Sequence, residues 1–285
     1  MACSRFERQN MFKLCLDFTQ KRAPMSQKQP INLVLSGGGT RAIGHLAIIS
    51  ALLERGFEIR AISGSSGGAI VGSLLASGKS PKECYDLLLK TNFVRLFAFK
   101  MSQGGLFHLK RGEAYLEKIL GIKEFSELSL PLYVCVVDLK EGRPFFLSEG
   151  NIAKAVIASS SISPFMRPVE MEGRMGADGG IMNNLPIEPF LEENLPIIGI
   201  NVNPNRPFHS HSMVSIAKRA LFLQFYSNIL ERSKLCSLYL EPSGIDAYTI
   251  YDLKSLESVY NLCQEWCETN LDALIGDVPL HVLRP

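Results

Sequence analysis

Two short apolar runs, residues 31–36 (INLVLS) and 57–63 (FEIRAIS), each lead straight into a cluster of glycines and small residues. The first ends in Gly37-Gly38-Gly39, the second in Gly64-Ser65-Ser66-Gly67-Gly68. Between them, residues 41–55 carry apolar side chains at helical spacing. Leu46, Ile49, Leu52 and Leu53 share a face there, and Gly56 is the stop. A helix of small residues follows from Ala69 to Ser77. Strand, helix, strand and helix in this order demand parallel strands joined by right-handed crossovers. A parallel sheet buries both of its faces, so the predicted fold is α/β: a three-layer αβα sandwich with a mainly parallel central sheet.

The rest of the chain continues the alternation. Ser80-Pro81 opens a helix by capping and by proline at its first position. Residues 112–120 read as another helix. Residues 132–138 (LYVCVVD) are almost entirely apolar, as a strand buried on both faces must be, and 143–147 are placed to pair with them. A helix over 152–159 precedes a serine-rich turn ended by Pro164. Residues 170–180 read as two extended pieces around a turn, closing on Asp178-Gly179-Gly180. Residues 196–201 form a further buried strand, and 212–233 and 256–274 are long helices. No internal repeat or low-complexity linker divides the chain. One domain is expected: an extension over 1–29, a core over 30–202, and a helical part of the same domain over 203–285.

Composition excludes several classes of function. Of the 285 residues, 46% are hydrophobic and 20% charged, which suits a large core and not a disordered chain. The net charge of +2 gives no bulk attraction for nucleic acid. Apolar stretches break before the ~18 residues a membrane span needs. The seven cysteines are scattered, without paired CxxC motifs, so neither a zinc site nor a disulfide framework is expected. Cys263 and Cys267 read as two small residues on one helix face. The first thirty residues lack the apolar core of a signal peptide, and a cytoplasmic protein is expected. The alternating Phe12, Leu14, Leu16 and Phe18 are read as part of a frayed extension.

Chemistry concentrates at the two glycine turns. In an open parallel sheet, ligands bind beyond the carboxyl ends of the strands, so both turns share one edge. The second turn fits G-x-S-x-G. Gly64 and Gly68 relieve crowding in a strand-to-helix bend that exposes the Ser66 hydroxyl at a helix N-terminus. In the first turn, consecutive glycines let Gly37, Gly38 and Gly39 point amides at one spot. That makes a nest for a phosphate or for the oxyanion of acyl transfer, with Arg41 adding positive charge. A dinucleotide loop is disfavoured, because Ala42 stands where its last glycine belongs and no acidic residue closes the next strand. A serine nucleophile needs a base, and Asp178 serves if it reaches Ser66.

These elements resemble the patatin-like phospholipase family. The matching segments are LVLSGGGTR (33–41), GSSGG (64–68), ASSSISPFMRP (158–168) and DGGIMNNLP (178–186). The resemblance spans about residues 31–201 and departs from the family's usual glycine at Ala42, which still keeps its N–H. It implies a serine acyl hydrolase of (phospho)lipid esters with Ser66 and Asp178 as a dyad and no histidine. Gly37, Gly38 and Gly39 would form the oxyanion hole, and Arg41 would steady the loop or a substrate phosphate. Gly64, Gly68, Gly179 and Gly180 would support the turns. No cofactor, metal or calcium is implied.

Three alternatives stay open at this stage. An α/β-hydrolase triad could run Ser66, Asp178, His281, though the elbow follows only the second strand. A lipid acyltransferase would use the same acyl-enzyme. A non-catalytic protein could use the turns to bind an anion. His45 is read as packing or surface, and His209 and His211 as solvated. The apolar pieces 96–101 and 105–107 are weighed as a lid or interfacial face and, with more weight, as core. Lys100, Lys110 and Arg111 lie near enough to favour transient contact with anionic lipid.

Overall fold

The computed structural model of this chain describes residues 28–91, 101–102, 105–106, 109–163 and 166–277. Strand β1 (Gln29–Leu35) runs into a 3-10 turn over Gly39–Ile43 and helix α1 (Gly44–Glu54). Strand β2 (Phe57–Ser65), helix α2 (Gly67–Ala76) and helix α3 (Pro81–Lys90) follow. Next come α4 (Leu109–Leu120), β3 (Leu132–Asp138), β4 (Arg143–Leu147) and α5 (Ile152–Ser159). The hairpin β5 (Val169–Met171) and β6 (Arg174–Asp178) leads to β7 (Ile197–Ile200). Helix α6 (Met213–Ser233), strand β8 (Leu238–Leu240) and helix α7 (Leu256–Asp277) complete the described chain.

These eight strands form one sheet in the order β8-β7-β1-β2-β3-β6-β5, with β4 also on β3, and residues 101–102 and 105–106 pair separately as a short antiparallel ribbon. The stretch from β8 to β3 is parallel, as expected. Beyond β3 the pairings turn antiparallel, so the sheet is mixed. Side chains of β1 alternate between two cores. Ile31, Leu33 and Leu35 join the large cluster under the helices, while Val34 joins a smaller one with Leu185, Ile187, Phe190, Ile197 and Ile229.

Most elements fall where periodicity put them, with local differences. Ser80 caps α3 with a full capping box: its hydroxyl accepts from the Glu83 amide and the Glu83 carboxylate accepts from the Ser80 amide. Leu53, expected on the buried face of α1, is 38% exposed, whereas Ala47 and Ile48 are buried. Helix α1 is packed between the sheet and α7, so its buried surface is wider than one stripe. Residues 203–277 are not purely helical, because β8 extends the sheet beside β7. Cys263 and Cys267 are buried free thiols on α7, and desolvation pushes each up to about 12. Residues 1–27 of the extension, Pro164 and most of 96–107 lie outside the described residues, while Gln29, expected in the extension, already belongs to β1.

Strand β3 sets the geometry of the site. Its first half pairs with β2, placing Ser65 opposite Cys135. Its second half pairs with β6, placing Asp178 opposite Val136. Strand β4 overlaps both registers and therefore occupies the other edge of β3. The end of β2 and the end of β6 thus meet head-on along one side of a single strand.

Candidate active site

Ser66 follows β2 directly and is the N-cap of α2, with φ 51° and ψ −120°. Positive φ in a non-glycine residue is strained, by roughly 1–3 kcal/mol, and persists only where surroundings enforce it. Here the enforcement is visible. The Ser66 amide donates to Ser159 Oγ at 2.9 Å, and that hydroxyl donates to the Cys135 carbonyl at 2.6 Å. Gly68 is required by a neighbour: a methyl there would stand 2.4 Å from the Leu35 carbonyl oxygen and 2.6 Å from that of Ser36.

The Ser66 hydroxyl donates to Asp178 Oδ2 at 2.7 Å, and both residues are buried. The other carboxylate oxygen, Oδ1, accepts the Gly180 amide at 2.8 Å. The Asp178 amide in turn donates to the Ser161 carbonyl at 3.0 Å, so the serine-rich turn braces both partners. Burial raises the Asp178 pKa to about 6, against the opposing hydrogen bonds from Ser66 and Gly180.

The glycine turn after β1 lies against this pair. A methyl on Gly37 would sit 3.0 Å from the Ser66 Cβ. Three amides were expected to converge here, but that of Gly37 is already engaged, donating to Asn184 Oδ1 at 3.0 Å. The amides of Gly38 and Gly39 have no acceptor among the described residues. Gly39 has φ +53°, and a methyl on it would stand 2.2 Å from the Ile250 carbonyl oxygen. The Gly37 carbonyl accepts from Asn203 Nδ2 at 2.5 Å.

Arg41 is held by backbone carbonyls from later in the chain. Its Nε donates to the Tyr248 carbonyl at 2.8 Å and its Nη2 to that of Asp246 at 3.4 Å, while burial lowers its pKa. Of the two roles considered for Arg41, the geometry fits the loop brace. His45 is buried, and its Nε2–H donates to the Ser36 carbonyl at 2.9 Å. Desolvation lowers its pKa to about 4. His209 and His211 are exposed, and no described histidine bonds to Ser66 or Asp178. His281 lies outside the described residues. Asn184, Ser159, Ser161 and Asn203 were not singled out in the sequence. The first three fall within segments that carry the resemblance, but their roles depend on partners far along the chain.

A bent serine at the carboxyl end of parallel strand β2, facing a buried carboxylate at the end of antiparallel strand β6, places the chain in a class of α/β proteins with a serine–carboxylate pair. Residues 33–191, more than half of the chain, match the patatin-like phospholipase family, and the chain belongs to that family. An uncharacterised NTE family protein of Mycobacterium tuberculosis is 31% identical over 181 residues, covering 62% of this chain and 50% of that protein. Lysophospholipase NTE1 of Saccharomyces cerevisiae is 26% identical over 289 residues, covering 87% of this chain and 17% of that protein. The chain therefore spans half or less of the length of these relatives. The crystal structure of VipD from Legionella pneumophila shares the fold, with a TM-score of 0.51 at 17% identity, covering 87% of this chain and 67% of that one. Among the described residues, no helix is long and apolar enough to cross a membrane.

Proposed function

We propose that this chain is a serine acyl hydrolase that cleaves fatty-acyl esters of lipids or phospholipids through Ser66 and Asp178. The observation that carries this reading is the 2.7 Å hydrogen bond from the Ser66 hydroxyl to Asp178 Oδ2 at a strained helix N-cap. Membership of the patatin-like phospholipase family and the yeast relative's name, lysophospholipase, favour a lipid ester as substrate.

Asp178 accepts the Ser66 proton as Oγ attacks the ester carbonyl carbon. A conjugate acid near pH 6 suits a base that works around neutrality. The carbonyl oxygen becomes an oxyanion, received by the amides of Gly38 and Gly39. The tetrahedral species then expels the alcohol, which takes the proton from Asp178, leaving an acyl-serine. Water attacks this ester, gives its proton to Asp178, and the fatty acid departs as Ser66 regains its hydrogen. The dipole of α2 adds favourable potential at the same point.

The test is labelling with a fluorophosphonate probe, followed by mass spectrometry of the adduct. Modification of Ser66, lost in Ser66→Ala, is expected. Labelling of a different residue, or none, would refute the mechanism.

A further inference from the structure

We infer that the first half of α6, with the loop leading into it, is the face by which this protein rests on an anionic lipid surface beside its cleft. The inference rests on the lipid-ester reading above and adds the surface from which the substrate is drawn.

Helix α6 connects β7 to the parallel strand β8, so it starts at the sheet edge that carries Ser66 and runs back to the opposite edge. Its far half is tied down. Ile229 is buried and Tyr226 packs beside it in the smaller core, while Arg232 pairs with Glu188 at 2.7 Å. Its near half is mostly exposed, with Ser215, Arg219 and Phe222 partly covered. Met213 is 78% exposed, Val214 65% and Leu221 56%, with Ile216, Leu223 and the preceding Phe208 exposed as well. Large apolar side chains at this density in water mark an interaction surface.

Charge indicates the occupant. Between Glu193 and Glu231 the sequence has no acidic residue, but it carries Arg206, Lys218, Arg219, His209 and His211. Arg219 bonds the neutral Asn205 Oδ1 and lies over the rings of Phe208 and Phe222, at 5.9 and 5.0 Å. Arg206 pairs with Asp246 at 3.4 Å and remains largely exposed. Cations set among exposed apolar side chains suit an anionic bilayer interface.

Shape argues the same way. Val214 and Leu221 lie on one line of the helix, whereas Ile216 and Leu223 lie ~200° round it. A rigid protein partner covers one side of such a helix; a fluid headgroup layer can surround it. The loop from Asn201 to Ser212 joins this helix to the cleft, since Asn203 holds the Gly37 carbonyl and Val202 packs at Gly38. A lipid leaving the surface at α6 is therefore next to the glycine turn.

The test is co-sedimentation of the full chain with vesicles of phosphatidylcholine, alone and mixed with phosphatidylglycerol. The mixed vesicles should bind more protein. Lys218→Ala should weaken that binding about fivefold, and Val214→Asp with Leu221→Glu more than about tenfold. Turnover of a short soluble ester and the circular dichroism spectrum should stay as in the parent. Ser66→Ala should bind like the parent, so binding and turnover can fail separately. Equal binding to both vesicles, or binding untouched by these substitutions, would overturn the inference. So would a dimer, seen by light scattering, that the substitutions dissociate without changing vesicle capture.

Discussion

The Gly37 amide donates to Asn184 Oδ1 at 3.0 Å, a bond across 147 residues that ties the glycine turn to the segment following Asp178. It makes Asn184 a positioning residue for the neighbouring amides. Asn184→Ala should cost about 1 kcal/mol of stability and roughly tenfold or more in kcat on a soluble ester, with KM less affected. Chemical denaturation and steady-state kinetics check both. Unchanged kcat would remove Asn184 from the mechanism.

Ser66→Ala should be inactive yet folded, because the backbone strain is held by Ser159 and the rest of the bend. Asp178→Asn should lose at least about a thousandfold, since a serine hydroxyl without a base is a weak nucleophile. Activity assays on purified, spectroscopically folded variants decide this. Substantial turnover by Ser66→Ala would point to another nucleophile.

The buried carboxylate predicts a rate that rises with pH and levels off above about 6, because Asp178 must be ionised to accept a proton. The sign for stability is opposite. The folded pKa of about 6 lies above the ordinary 3.8, so the folded state holds the proton more tightly. Ionisation costs nothing below 3.8, costs progressively more as pH rises to about 6, and then stays constant at about 3 kcal/mol. Asp178→Asn should therefore raise the melting temperature at pH 8. A lower one would contradict the burial argument.

His45 adds an acid limit. Its pKa falls from 6.5 to about 4 on folding, so neutral His45 contributes stability fully above 6.5, and that contribution is lost as pH falls from 6.5 towards 4. Replacing His45 with Gln should remove this acid-side loss and leave the opposite slope from Asp178, so the variant should gain stability relative to the parent as pH falls from 6.5 towards 4. Denaturant titrations at stepped pH would show it, and an unchanged slope would count against the assignment.

Backbone approach makes two glycines irreplaceable. Gly68→Ala meets two carbonyl oxygens of the preceding turn and should prevent folding or cost several kcal/mol. Gly39→Ala meets the Ile250 carbonyl and also needs a positive φ, so it should disable turnover before it unfolds the core. Expression yield and melting temperature separate the two cases.

The sequence alone determined the alternation of strands and helices, the two glycine turns and the chemical types at Ser66 and Asp178. Each depends on neighbours within a few residues, through periodicity, capping or steric room in a bend. Tertiary structure alone decided which distant groups touch. Ser66 and Asp178 are 112 residues apart, and they meet because β3 pairs with β2 and β6 at adjacent positions, Cys135 and Val136. The placement of β6 against β3, the diversion of the Gly37 amide to Asn184 and the choice of the Tyr248 and Asp246 carbonyls as partners of Arg41 were likewise not legible in local sequence. Register and hydrogen-bond choice are settled by the whole core packing at once, and local sequence carries no record of them.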